Sequence, residues 1–370
     1  MSNLKVNTIN DASGGSNAVL YGVAAPVNSM GFRNRIINGD MQIDQRNAGA
    51  SVTSSPLANV FCVDRWFGFC TSPAVFTMQQ STDTPAGFVN SVAITVTTQD
   101  TSLAAGDFNS FRYIIEGLNV ADFGWGTASA QPITFSFWVK SSLTGTFSVG
   151  LRNSALNRSY IATYTISTAN TWEQKTVTIA GDTSGTWLTT NGVGIRLDWS
   201  LGSGSDYQGT ANSWTATNDF TTSGSVSVVG TNGATFYITG VQLEAGSVAS
   251  PFERRDYGRE LMMCQRYCVL LGGSDGASHA GAGVWYATTA TIYQMRLPVE
   301  MRASPALTNV SPNLSMYYSG AIANATAPTI NTASKSSVEF YTPVSSGSGT
   351  AGQGTSVRYL SGKSLLTAEL

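Results

Sequence analysis

The sequence predicts an all-β protein: an N-terminal extended arm, an antiparallel jelly-roll sandwich, a short α-helix and a C-terminal small β-sandwich. Three observations carry this. Apolar residues alternate with polar ones in many short runs, as in Ile133-Thr134-Phe135-Ser136-Phe137-Trp138-Val139, the pattern of a half-buried strand. The runs are separated by Thr-Gly, Ser-Gly and Asn-Gly turns without intervening helices, which favours antiparallel pairing. Only 11% of the 370 residues are charged while Gly numbers 38, a balance suited to many turns and few solvated helices.

Residues 1–33 hold Gly14-Gly15 and almost no bulky core formers beyond Leu20 and Tyr21. Such a segment cannot bury enough apolar surface to order itself, so an arm pinned by a partner is expected. Residues 34–250 form the large domain. Strand patterns recur at 92–98, 112–116, 133–140, 147–151, 160–166, 175–179, 192–199 and 235–243, and eight strands require two sheets. Between 200 and 234 a long polar loop carries Asp206, Tyr207, Trp214 and Phe220, a length that marks a contact surface or a packed loop.

Residues 251–271 form the only helical pattern. Tyr257, Leu261, Cys264, Cys268 and Leu271 recur at spacings of four, three, four and three, which predicts one helical seam. So short a helix is marginal alone, and its seam therefore packs on copies of itself or on the adjacent β-domains. Residues 272–370 open with the joint Gly272-Gly273-Ser274-Asp275-Gly276, and strand patterns follow at 284–288, 291–297, 307–308, 314–318, 338–341, 357–360 and 365–370.

Composition excludes several classes. Twenty Lys and Arg stand against 22 Asp and Glu, a net charge of −2, which leaves no footprint for nucleic acid or an anionic membrane. The start has no apolar targeting segment and no apolar run is long enough to span a bilayer, so synthesis in a cytoplasm without membrane insertion is expected. Cys62, Cys70, Cys264 and Cys268 are too few and too uneven for a disulfide framework. Cys264 and Cys268 could pair around a metal, but no second ligand pair follows, so they are read as core residues and neither metal nor cofactor is expected.

An enzyme is not expected either. The single His, His279, lies in a Gly-, Ala- and Ser-rich joint, which cannot supply a multi-His site and would have to carry a triad alone. Asp40, Asp44 and Asp64 could be glycosidase carboxylates, with Asp40 and Asp44 on one side if their segment is a strand. Their neighbours Gln42, Gln45 and Arg46 favour hydrogen-bonded structural roles. Sugar binding needs aromatic faces beside hydroxyl-fixing polar groups. The glycan-binding candidates are Trp214, Tyr207 and Asp206 in the first domain, and Trp285, Tyr286 and Tyr293 in the second.

Several motifs together carry a resemblance. They are Asn34-Arg35-Ile36-Ile37-Asn38-Gly39-Asp40-Met41-Gln42-Ile43-Asp44-Gln45-Arg46, Asp64-Arg65-Trp66, Gln242-Leu243-Glu244-Ala245-Gly246, Pro251-Phe252-Glu253-Arg254-Arg255, Cys264-Gln265-Arg266-Tyr267, Leu297-Pro298-Val299-Glu300-Met301-Arg302-Ala303-Ser304-Pro305 and Thr367-Ala368-Glu369-Leu370. In this order they resemble a family of bacteriophage tail-fibre and virion-surface proteins, of the kind found in cyanophages and marine phages. The resemblance implies a homotrimer with a carbohydrate-binding-like jelly roll, in which the helix is trimerising and Tyr257, Leu261, Cys264, Cys268 and Leu271 form the trimer interface. It also implies attachment to other virion proteins through residues 1–33, and a distal domain facing host cell-surface polysaccharide or lipopolysaccharide. A head fibre or capsid decoration protein of the virion is the alternative, and a free carbohydrate-binding protein of the host is a third reading that leaves the arm unexplained.

Overall fold

A computed structural model describes residues 32–272 and 278–370. The predicted arm, except for Phe32 and Arg33, and most of the predicted joint lie outside the described residues. The rest is all-β apart from short helices, and its strands pair antiparallel. One sheet has six strands in the order Val52–Thr53, Val75–Ser81, Ser91–Thr98, Thr235–Ala245, Ile133–Ser141 and Glu173–Ile179. Facing it is a seven-stranded sheet in the order Trp214–Thr215, Ser159–Ile166, Gly145–Arg152, Val193–Ser203, Phe108–Glu116, Trp66–Cys70 and Val60–Val63.

Alternation decides what the two sheets share. Phe135, Phe137 and Val139 point inward from one sheet, and Phe111, Tyr113, Ile195, Leu197 and Trp199 from the other, all buried. Their rings interlock: Trp199 lies 5.4 Å from Phe135 and 5.4 Å from Trp66, and Trp66 stacks on Phe111 at 5.5 Å. Aromatic burial of this kind supplies most of a sandwich's driving force.

The long loop after Val193–Ser203 does not stand free. It folds back across the outer face of the seven-stranded sheet, where Phe220 is fully buried. Phe220 sits over Gly150, at which an added Cβ would lie 2.3 Å from the Phe220 Cβ, so glycine there makes room for the ring.

The helix is shorter than its pattern. It runs Tyr257–Gln265, capped by the Asp256 side chain, which accepts from the backbone N–H of Gly258 and Arg259. Cys268–Gly272 is instead a strand paired with Gly354–Thr367. The predicted seam is therefore divided within one chain. Cys264 packs in the sandwich core, Leu261 packs against it, Cys268 is buried on the strand, and Leu271 joins the second core. Only Tyr257 stays exposed from that set, at 58%; elsewhere on the helix Met262 is exposed at 50%. The β-branched and leucine-rich run Cys268-Val269-Leu270-Leu271 prefers a sheet partner to an unsupported third helical turn.

The C-terminal domain is one sheet that returns on itself. Gly354–Thr367 pairs with Ser278–Ala287 on one side and Ala306–Tyr318 on the other. The circuit continues through Ala290–Arg296, Ser337–Ser346 and Ala321–Ala325, with Thr329–Ala333 added outside it on Ser337–Ser346. The two layers of this small sandwich are thus continuous, which removes most free edges. Trp285, Tyr293, Phe340, Leu314 and Met316 fill it.

The motifs that carry the sequence resemblance converge where the domains meet. Residues 34–50 form turns, not a strand. Asn38 Oδ1 accepts from Ile43 N at 2.9 Å, and its Nδ2 donates to the carbonyls of Ile43 and Asp64. Asn34 ties the same segment to Val241 and Leu243. Arg255 pairs with Glu260 at 3.2 Å and donates to the Ile36 carbonyl. At the far end, Glu369 accepts from Arg65 and, at 2.7 Å, from Arg46, while Arg302 holds the Ala368 and Glu369 carbonyls. Arg266 and the Tyr267 hydroxyl both donate to Glu116. Charge-assisted, largely buried bonds of this density fix one docking geometry.

Asp64 lies inside this network and is fully enclosed. Burial pushes its carboxyl up to about 7 from an ordinary 3.8, with Arg46 and the Gln45 amide offsetting part of the rise. The folded chain therefore binds a proton at Asp64 that the unfolded chain does not hold between those values, so this group's contribution to stability grows as pH falls from 7 towards 4. Asp64→Asn should flatten that part of the profile of Tm against pH. An unchanged slope would show that Asp64 does not carry it.

Candidate functional site

The six glycan-binding candidates separate into distinct environments. Trp285 is 1% exposed and Tyr293 is buried beside it in the second core. Trp285 packs edge-on against Tyr318 at 4.9 Å, and Tyr293 stacks on Phe340 at 4.9 Å. Neither presents a face to a ligand. Their inward direction follows from strand alternation, which points Tyr286 the other way.

In the first domain the three candidates do not form one site. Tyr207 packs against Phe108 and Phe220, with exposed Asp206 beside it in sequence. Trp214 pairs with Tyr160 at the sheet edge. Two strands lie between the partners of these residues, a separation of roughly 14 Å at ordinary strand spacing. Trp214 belongs instead to a cluster with Trp125 and Trp187, at ring distances of 5.1 and 5.4 Å. Its indole donates to the Ala180 carbonyl and that of Trp187 to Asp182. Asp182 also pairs with Arg158. The indole donors of this cluster are spent on the chain itself, so it closes one end of the sandwich.

The carboxylates weighed for hydrolysis are also apart in role. Asp44 accepts from the backbone N–H of Asn47 and Gly49, Asp40 from Gln42, and Asp64 from Gln45. Asp40 lines a small pocket with Arg255 and Glu260. Burial raises both Asp40 and Glu260, with Arg255 among the groups that offset it. Every one of these acids is engaged in holding turns. Among the described residues no three His, Cys, Asp or Glu side chains lie close enough to hold a metal ion.

The outer face of the C-terminal domain differs from all of these. Register places Val284 opposite Ile292 and Ile292 opposite Tyr341, so their side chains share one face. Tyr286 is 66% exposed there, its ring 6.5 Å from the ring of Tyr341 at 79°. One register step further along, Gln294 lies opposite Glu339. Gln294 Nε2 donates to Glu339 Oε2 at 2.8 Å and Asn331 Nδ2 to Oε1 at 2.6 Å. These two donors hold the Glu339 carboxyl below the usual carboxylate range.

This face combines two kinds of contact. Two tyrosine rings set nearly at right angles and the aliphatic Val284 and Ile292 offer an apolar surface, and an oriented carboxylate with two amides offers acceptors and donors beside it. Each Glu339 oxygen keeps a lone pair after its intrachain bond. Two shallow depressions border the Gln294 and Glu339 pair, one lined by Thr332, Ser334 and Ser337 and the other by Ala282, Val284 and Ile292. Of the residues involved only Tyr286 stands out in the sequence. Tyr341, Gln294, Asn331 and Glu339 come from three strands, and no local spacing marks them.

No family model matches the chain, and no curated protein matches it. Among solved structures it is similar to a CBM4 structure at 16% identity, covering 56% of this chain and 98% of that one, with a TM-score of 0.31. It is similar to the enzymatically active domain of bacteriophage CBA120 tailspike protein 4 at 13% identity, covering 58% of this chain and 21% of that one, with a TM-score of 0.30. A family 11 carbohydrate-binding module from Clostridium thermocellum, in complex with a β-1,3-1,4-mixed-linked tetrasaccharide, is 12% identical over 55% of this chain and 100% of that one, with a TM-score of 0.28.

Proposed function

We propose that the chain is a non-enzymatic structural protein of a phage virion, a tail fibre or receptor-binding protein that contacts host-surface glycans through the outer face of its C-terminal domain. The observation that carries glycan contact is the exposed Tyr286 and half-buried Tyr341 beside Glu339 held by Gln294 and Asn331. Aromatic planes stack on sugar rings, and fixed carboxylate and amide groups select hydroxyl orientation. The virion assignment is supported by the ordered motifs from Asn34 to Leu370. Attachment through residues 1–33 belongs to the same reading, as does synthesis in the host cytoplasm.

The proposed trimer is supported by that resemblance and not by a continuous helical seam, since Cys264, Cys268 and Leu271 are used inside the chain. Tyr257 and Met262 are the apolar helix residues left to meet a second copy. Light scattering should return three times the chain mass, and Tyr257→Glu with Met262→Glu should reduce it. A monomeric wild-type chain would remove the trimer.

Position on the virion has its own test. Gold-labelled antibody to the C-terminal domain should mark the tail tip. Label on the capsid would replace this assignment with a head fibre or decoration protein, and virions without label would point to a free glycan-binding protein.

A further inference from the structure

The outer face of the seven-stranded sheet carries more positive charge than it neutralises. Arg196 and Asp198 point to this face from Val193–Ser203, flanked by Arg152 on one neighbouring strand and Arg112 on the other. Asp198 is fully buried and its oxygens are occupied. Oδ1 accepts from Arg112 Nε at 2.5 Å, and Oδ2 from Arg152 Nε at 3.1 Å and Nη2 at 2.7 Å. Arg152 Nη1 donates to Asn218 of the overlying loop at 2.7 Å. Two guanidinium groups thus share one carboxylate, with a third beside them.

Arg196 is the one left over. It makes no hydrogen bond or ion pair with the described residues, and its Nε is enclosed without an acceptor. The side chain is half-buried, so the charge is neither paired nor freely solvated, an arrangement that costs stability unless something answers it. Arg112, its diagonal neighbour across the strand pair, also keeps donors. It spends only Nε on Asp198, and its guanidinium is clamped between the rings of Phe69 at 4.3 Å and Phe108 at 4.2 Å. Burial lowers the proton affinity of both Arg112 and Arg196; Asp198 offsets part of the fall and the neighbouring Arg152 adds to it, although guanidinium remains charged at any physiological pH.

We propose that Arg196, together with the free end of Arg112, binds an oxyanion, carboxylate or phosphate, carried by an acidic saccharide. The planar fork of a guanidinium matches two oxygens of such a group, and the two arginines are diagonal neighbours across one strand pair, close enough to share it. The saccharide part rests on the glycan-binding reading above. The oxyanion part rests on the excess of three arginines over the single Asp198 carboxylate and on the unbonded Arg196 fork, on a different domain from Tyr286.

Isothermal titration of the full chain tests this with three probes: an oligogalacturonate, glucose 6-phosphate and a neutral cello-oligosaccharide. The two acidic probes separate a carboxylate source from a phosphate source. At least one should bind, more weakly as salt rises, and Arg196→Gln should weaken it at least tenfold, whereas Tyr286→Ala should leave the oxyanion contribution in place. Arg196→Lys should fall between, keeping charge but losing the fork. Because Arg196 makes no hydrogen bond or ion pair with the described residues and faces Arg152 in register, Arg196→Gln should melt at or above the wild-type temperature. Equal affinity of wild type and Arg196→Gln for the acidic probes, no binding of either acid, or a fall in Tm on removing Arg196 would each overturn the proposal. Neutral-probe binding lost only in Tyr286→Ala, with no acid binding, would sink this site and leave the glycan-binding reading standing.

Discussion

Glu369→Ala should destabilise the chain by about 3–5 kcal/mol, the usual cost of removing one member of a buried ion pair. Glu369 answers two guanidiniums, Arg65 and Arg46. Arg65 is almost wholly buried and stacks on Tyr267 at 3.7 Å, so it cannot turn to solvent when its partner is lost. The cost is concentrated at the domain junction. The Arg302 bonds to the Ala368 and Glu369 carbonyls and the packing of Leu370 against the sandwich core depend on the same tail. Denaturant unfolding should therefore show the loss and a separation of the two domains into distinct transitions. A single transition at the wild-type midpoint would show that the tail is not the clasp described here.

Phe220→Ala should cost about 3–5 kcal/mol, the range for emptying a buried aromatic site. The ring is fully buried although it belongs to a loop, and it lies 4.5 Å from Phe108 and 5.2 Å from the Arg152 guanidinium. Removing it leaves a void over Gly150 and loosens the loop's hold on Arg152 through Asn218. Limited proteolysis should then cut between residues 204 and 234 well before the rest of the chain. Wild-type resistance with unchanged Tm would mean the loop is held by its backbone bonds alone.

What was legible in the sequence follows from which strands alternate apolar with polar residues. The strand at Ile133–Ser141 shows itself because Phe135, Phe137 and Val139 alternate with Thr134 and Ser136. Val60–Val63 and Trp66–Cys70 do not, because Phe67 is buried on the outer side while Trp66 fills the core, so both faces are apolar and the period vanishes. The helix was overextended for a related reason. Cys264, Cys268 and Leu271 are all buried, and spacings of four and three fit a helical seam as well as a helix followed by a strand.

The aromatic residues show the same limit at the candidate site. Trp285 and Tyr286 are adjacent, yet one is core and the other exposed, and only the register of the strand decides which. The polar half of the face is assembled by pairing Ala290–Arg296 and Thr329–Ala333 with Ser337–Ser346. No reading of neighbours in sequence brings Gln294, Asn331 and Glu339 together. The motifs from Asn34 to Arg46 were prominent in the sequence, and the structure gives them a joining role: Asn34 and Asn38 satisfy backbone groups that a buried turn would otherwise strand.

Glycan contact through the C-terminal face is tested most directly by binding of the full chain to purified host-surface polysaccharide, comparing wild type with Tyr286→Ala/Tyr341→Ala. Both rings lie on the outer face and neither side chain fills the core, so the double variant should keep the wild-type Tm and bind at least tenfold more weakly, a loss of about 1.4 kcal/mol or more. Glu339→Gln should weaken binding as well, because it replaces two acceptor oxygens with one. Undiminished binding by a folded Tyr286→Ala/Tyr341→Ala chain would contradict the assignment of this face as the receptor contact.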